Sequence, residues 1–241
     1  MSLRGLRQGG FLLAFVLAAG AAKAGSFSVS PVRVTLSAAE RIVALTVRNS
    51  GDEPAVIQLQ ATSWSQRDGT DVYEMSRDLI ATPPIFTVPA GGTQVVRVGL
   101  RGAADPRRES TYRLYLQEVP PPPPPEFVGA RVALRLGVPV FVAPALAATH
   151  AMQWKLLRGG DGTVSVVGLN HGSVHARIVS FRLSDASRGT ALAQRQVAVD
   201  LHAGQQRAWP LHNGELPPAG TPLRLTATTE RGDVHADLVV P

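Results

Sequence analysis

Short apolar-rich stretches separated by turn residues recur along most of the chain, the signature of an all-β protein. In order they are Ser28–Leu36, Ile42–Val47, Ala55–Ala61 leading into Trp64, Phe86–Val88, Gln94–Leu100, Thr111–Val119 and an unusually long run, Val128–Val142. Turn signals stand between them at Asn49-Ser50-Gly51-Asp52 and Pro89-Ala90-Gly91-Gly92, and six prolines, Pro120 to Pro125, interrupt the series. The style resumes after a compositional break near Pro144–His150. Gln153–Leu157, Thr163–Leu169, Ala176–Leu183, Ala191–Val199 and Arg207–Leu211 precede a terminal hairpin, Leu223–Thr228 with Val234–Val240, turned at Glu230-Arg231-Gly232-Asp233. Strands recurring every ~8–12 residues in two halves of roughly 100 residues predict an all-β protein of two Ig-like β-sandwich domains in tandem.

The N-terminus departs from this pattern and changes the reading of charge. Arg4 and Arg7 precede the apolar run Phe11–Ala22, and Ala22-Lys23-Ala24 has the small-x-small form of a cleavage site. Residues 1–24 therefore read as a secretory signal peptide, too short and wrongly flanked to span a bilayer. The whole sequence carries 24 Lys+Arg against 18 Asp+Glu, formally +6, a balance that points toward nucleic acid or a membrane surface. Arg4, Arg7 and Lys23 leave with the leader, so 21 cations face 18 acids and the mature chain is formally +3. The expectation becomes an exported protein with no membrane span in its mature chain and no nucleic-acid partner. Its domains are expected at 25–145 and 146–241.

Chemistry-bearing motifs are few. The chain has no Cys, which excludes disulfides, cysteine-based zinc modules and a thiol nucleophile. It contains no G-x-S-x-G elbow, phosphate loop or H-E-x-x-H, and its acids are dispersed. Only His171 and His175 lie close together, and without further ligands nearby they read as solvated loop residues. Arg231-Gly232-Asp233 reads as a polar hairpin tip with positive φ at the glycine, and the proline run as a stiff surface connection. No enzyme, metal or cofactor is expected.

The most informative segment follows the prolines. Val128, Ala130, Val132, Leu134 and Leu136 alternate with Gly129, Arg131, Ala133, Arg135 and Gly137, so a strand here has one continuous apolar face. Either that face lines the domain's own core, or it is an edge lent to another protein; periodicity leaves both open.

Several stretches occur in the order and spacing of a known family. They are Ser30-Pro31-Val32-Arg33-Val34, Leu45-Thr46-Val47-Arg48-Asn49, Ile80-Ala81-Thr82-Pro83-Pro84 and Pro89-Ala90-Gly91-Gly92-Thr93-Gln94-Val95-Val96-Arg97. The series continues with Glu109-Ser110-Thr111-Tyr112-Arg113-Leu114-Tyr115-Leu116-Gln117-Glu118-Val119-Pro120, then Val132-Ala133-Leu134-Arg135 through Val140-Phe141-Val142-Ala143-Pro144. Residues 28–144 thus resemble the periplasmic pilus-assembly chaperones of the PapD-like, chaperone–usher family. The second half agrees only in style, as at Trp154 and Val166-Val167-Gly168-Leu169-Asn170.

The resemblance implies a boomerang of two Ig-like domains that binds incomplete pilin or fimbrial subunits and delivers them to an outer-membrane usher. It implies a donor strand here at Val128–Leu136, with Val132, Leu134 and Leu136 as the surest insertions and Ala130 and Val128 extending the row. It also implies that Arg33 holds the subunit's C-terminal carboxylate. The family's partner lysine is replaced by Pro139, leaving Arg33 to act alone or with Arg97, Arg135 or the backbone. Ala143 stands where the family has an arginine that joins an ion network with Glu109, and the second domain has no disulfide. These departures resemble the archaic branch of the family. An exposed donor strand also leaves self-association of the free protein open. The competing reading is a two-domain structural or adhesive surface protein in which the same strand is internal.

Overall fold

The computed structural model describes residues 27–122, 125–126, 132–211 and 216–241. The expected leader, Val128 and Ala130 lie outside the described residues. Ten strands form the first half: β1 (Phe27–Ser30), β2 (Val34–Leu36), β3 (Ile42–Asn49), β4 (Ala55–Arg67), β5 (Thr70–Met75), β6 (Leu79–Thr82), β7 (Ile85–Val88), β8 (Thr93–Leu100), β9 (Ser110–Glu118) and β10 (Arg135–Val142). They make one sheet in the order β1-β3-β8-β6 and a second in the order β2-β10-β9-β4-β5, with β7 also pairing β4. The second half contributes β11 (Met152–Arg158), β12 (Val164–Asn170), β13 (Ala176–Asp185), β14 (Ala191–Leu201), β15 (Gln206–Pro210), β16 (Pro222–Thr229) and β17 (Gly232–Val239). Its sheets run β11-β12-β15 and β14-β13-β16-β17. Both halves are all-β, Ig-like two-sheet sandwiches.

Alternation along the strands becomes burial. Leu45 and Val47 of β3, Val96 and Val98 of β8, Leu114 and Leu116 of β9, and Val138 and Val140 of β10 fill the first core from both sheets. Ile178, Phe181, Leu183, Leu223 and Leu225 fill the second, together with Trp154 and Trp209, whose rings stack at 6.0 Å. Gly168 lies beneath that pair. A β-carbon there would sit 3.0 Å from Trp154, tight enough that the ring would have to shift.

Two expected elements differ in the structure. Ser28–Leu36 is not one strand: β1 pairs antiparallel with β3 in one sheet, while β2 pairs parallel with β10 in the other. The chain changes sheets at Pro31-Val32-Arg33, where proline has no amide hydrogen to continue a ladder. The second difference is that β4 runs past Trp64 to Arg67 and turns into β5 through Asp68 and Gly69, with φ of 52° and 74°. That is the two-residue turn Asp-Gly favours, which matches strand twist.

A repeated device joins the two sheets of each sandwich. Asn49-Ser50-Gly51 recurs in the second half as Asn170-His171-Gly172. Asn49 is buried; its amide donates to the carbonyls of Glu53 and Val88, and its oxygen accepts from the Gly51 N–H. Asn170 does the same with Val174, Leu201 and Gly172. Each side chain thereby ties the turn after its own strand to backbone of the facing sheet.

Candidate functional site

The final strand of the first sandwich has an open side. β10 pairs with β9 along its whole length, from Arg135 opposite Gln117 to Val142 opposite Ser110. Its other edge meets β2 only at Val140, Phe141 and Val142. Among the described residues, Arg135–Pro139 therefore has a strand on one side alone, and the β2 ladder begins one residue after the proline. The apolar row changes character along this segment. Val138 and Val140 are fully buried, Leu136 and Leu134 are half-buried against the rim of the first core, and Val132 is 64% exposed. The backbone bond from the Glu118 N–H to the Leu134 carbonyl holds that outer end in line with β10.

Strand register groups the polar side chains of the same sheet. Pro139 lies opposite Arg113 of β9, and Arg33 immediately precedes Val34, the partner of Val140. Two arginines therefore flank Pro139, Arg113 from β9 and Arg33 from the segment that leads into β2. Arg33 lies over the Phe141 ring, with Cζ 5.4 Å from its centroid, and Nη1 donates to Glu230 Oε2 at 2.7 Å. Its Nη2 is 3.8 Å from Asp200 Oδ1, too far for a hydrogen bond, while Asp200 Oδ2 accepts from Arg177 Nη1 at 2.8 Å. Arg113 stacks on Trp64 at 4.3 Å and donates from Nη2 to the Tyr73 hydroxyl at 3.3 Å. Its Nε is buried without a hydrogen-bond partner. The cations expected beside Arg33 are elsewhere. Arg97 is on β8 of the opposite sheet, and Arg135 lies over Tyr115 at 4.0 Å and donates to Gln60.

The two sandwiches meet behind these arginines. The Gln66 amide acts like a peptide group: Nε2 donates to the Asp200 carbonyl at 2.7 Å, and Oε1 accepts from the His202 N–H at 2.9 Å. Glu109 Oε2 accepts from the His175 backbone N–H at 2.8 Å and lies 2.7 Å from Nδ1 of its ring. That ring stacks on Phe141 at 3.7 Å with a 10° interplanar angle. The reading of both histidines as solvated is thus corrected for His175, whose side chain is only 10% exposed, because the first domain covers it. His171 is exposed and bonds Gln153. Replacing Gln66 by Leu removes both bridges and leaves the buried Asp200 carbonyl and His202 N–H unpaired, at a cost of about 1–3 kcal/mol. Calorimetry should then resolve the unfolding of the two sandwiches into separate transitions; one unchanged transition would count against the bridge.

His202 makes this junction sensitive to acid. Its ring packs edge-on to Trp64 at 4.4 Å, and burial pulls its pKa down to about 4. Nearby Asp71 opposes that shift, while His175 and Arg113 reinforce it. An unfolded chain takes up a proton near pH 6.5, and the folded one resists until about pH 4, so stability is full above pH 6.5 and declines as pH falls toward 4. The loss is on the order of 1–3 kcal/mol. Urea unfolding between pH 7 and 4 should show a shallower decline for His202→Gln; parallel curves would reject the assignment.

The comparisons bear directly on this architecture. Residues 26–147, a little over half of the chain, match the family model of the pili and flagellar-assembly chaperones, PapD N-terminal domain. The chain belongs to this family of assembly chaperones. Solved structures extend the likeness in fold over both halves of this chaperone. A chain from the CsuC–CsuE chaperone–tip adhesion subunit pre-assembly complex of the archaic chaperone-usher Csu pili of Acinetobacter baumannii is 17% identical, with a TM-score of 0.66. The alignment covers 89% of this chaperone and 98% of that chain. The Salmonella enterica SafA pilin–SafB chaperone complex gives 13% identity and a TM-score of 0.63, covering 89% and 97% respectively. The E. coli chaperone DraB gives 18% and 0.60, covering 91% and 97%. A search of curated proteins found no match.

Sequence reasoning missed several junction residues in this chaperone. With Ala143 at the family's arginine position the sequence names no partner for Glu109, and the structure pairs it with His175 of the second domain. Arg113 was visible only as part of a strand motif, and its relation to Pro139 depends on strand register. Among the described residues, no group of three His, Cys, Asp or Glu side chains could hold a metal ion.

Proposed function

We propose that this chaperone acts in the periplasm, capturing incomplete pilin or fimbrial subunits by donor-strand complementation and passing them to an outer-membrane usher. The supporting observation is the open edge of β10, whose apolar row passes from buried Val138 to exposed Val132. A strand with free backbone groups on one side and an apolar row leading outward can complete another sheet while filling its groove. Each inserted Val or Leu contributes roughly 1.5–3 kcal/mol, so Val132, Leu134 and Leu136, extended by Ala130 and Val128, suffice for a stable complex. No nucleotide is needed, because the energy comes from burial and strand pairing.

Arg33 serves in this reading as the contact for the subunit's terminal carboxylate, a charge-assisted bond that sets the register of the added strand. Arg113, on the other side of Pro139, adds a second cation to the same row. Coexpression of the exported chaperone with a pilin-like subunit tests the proposal: the subunit should accumulate in periplasmic extracts and co-purify with the chaperone. Equal subunit levels with and without the chaperone would overturn it. Arg33→Ala should weaken capture about tenfold or more while shifting the thermal midpoint little, since Arg33 lies outside both cores. Unchanged capture would remove Arg33 from the site.

A further inference from the structure

Arg33 already holds a carboxylate of its own chain. Glu230 belongs to the two-residue turn between β16 and β17, which brings it to the first sandwich. Its grip on the arginine is incomplete. One oxygen meets one nitrogen, Oε2 to Nη1 at 2.7 Å, while Nη2 is 3.8 Å from Asp200. Neither carboxylate engages the two terminal nitrogens together, the geometry in which arginine binds a carboxylate most strongly. The arginine and glutamate side chains are 34% and 35% exposed, and ion pairs so wet contribute little net stability. A carboxylate arriving from solvent can therefore compete for this arginine.

Glu230 also has another place to go. Its second oxygen, Oε1, is 3.6 Å from His175 Nε2, which is buried and has no hydrogen-bond partner. Beside it is a cavity of about 350 Å³ whose wall includes His150, His175, Arg177 and Arg231 as well as Glu230. Asp200 is different: it is almost fully buried and tied to Arg177, so it stays in place when the arginine changes partner.

We propose that Glu230 is an internal stand-in for the partner's terminal carboxylate, a residue that sets the affinity of the Arg33 site by occupying it until a better anion displaces it. On displacement Glu230 turns toward His175 and the cavity. The inference rests on the reading of Arg33 as a carboxylate contact, and it assigns the second domain a direct part in capture. Glu230 limits binding to ligands that present a free carboxylate able to engage both arginine nitrogens, and it keeps weaker anions out.

The test uses the mature full-length protein and two small probes, N-acetylglycine with its free carboxylate and N-acetylglycinamide without one. Binding is followed by NMR at the Arg33 Nε–H resonance, and by chemical-shift changes around Phe141 in variants lacking that arginine. Glu230→Gln keeps the shape of the side chain and removes its charge, and should bind N-acetylglycine at least fivefold more tightly than the native protein. Glu230→Ala should do the same, and the amide should bind none of the proteins. Equal affinity of native and Glu230→Gln proteins for the acid, or no binding by Glu230→Gln, would overturn the stand-in role. Arg33→Ala separates the two ideas. If it binds the acid as the native protein does, the carboxylate reading of Arg33 itself fails; if it loses binding while Glu230→Gln shows no gain, only the stand-in role fails.

Discussion

Val132→Asp is expected to reduce subunit capture by about 100-fold or more while leaving the thermal midpoint of the free chaperone nearly unchanged. Two effects add in the complex: loss of roughly 1.5–3 kcal/mol of apolar burial, and the penalty of placing an unpaired carboxylate in an apolar groove. Together they exceed the ~2.7 kcal/mol that corresponds to 100-fold. The free protein escapes both, because Val132 is 64% exposed before any partner arrives. Leu134→Asp should abolish capture too, but it packs on the chaperone's own core and will lower stability as well. Val132 therefore gives the cleaner experiment. Affinity measured by calorimetry against the coexpressed subunit, alongside thermal unfolding of the free variant, distinguishes lost binding from lost folding. Undiminished capture by a well-folded Val132→Asp protein would mean that the open edge of β10 is not the docking strand.

The second large effect concerns folding. Asn49→Leu and Asn170→Leu are each expected to destabilise their sandwich by about 2–4 kcal/mol, because each removes a buried amide that bonds backbone carbonyls and one turn N–H. The apolar replacement offsets none of this, since its own burial comes at the expense of those polar groups. Denaturant unfolding should show the shift in midpoint with little change in slope. Loss of less than about 0.5 kcal/mol at both positions would show that water or a rearranged turn replaces the amide.

Much of the fold was legible because a strand announces its buried face locally. Leu114 and Leu116, Val138 and Val140, and Leu223 and Leu225 alternate in the sequence and are buried in the structure. The break in Ser28–Leu36 was not legible, because whether a strand stays in one sheet depends on which neighbours are free to pair. The Asp68-Gly69 turn carried its own signal, and the strand after it was overlooked because its outward side chains leave no apolar alternation to read. The repeated Asn-x-Gly was present in both halves as well, but its meaning rests on carbonyls that only the folded turn brings within reach.

The arginine site divides along the same line. Residue type and local motif marked Arg33, and alternation marked Val132, Leu134 and Leu136 as one row. They could not say that Glu230, 197 residues away, would reach Arg33, or that Glu109 would meet His175 across 66 residues. The sequence by itself determined most of the strands, their inward-facing positions and the family to which the motifs belong, since each depends on residues within a few positions of one another. Tertiary structure alone decided which edge of β10 has no partner strand among the described residues, which carboxylate occupies Arg33 and which histidine is covered. Those outcomes depend on how two sandwiches pack, and no local period encodes the partner of a side chain in another domain.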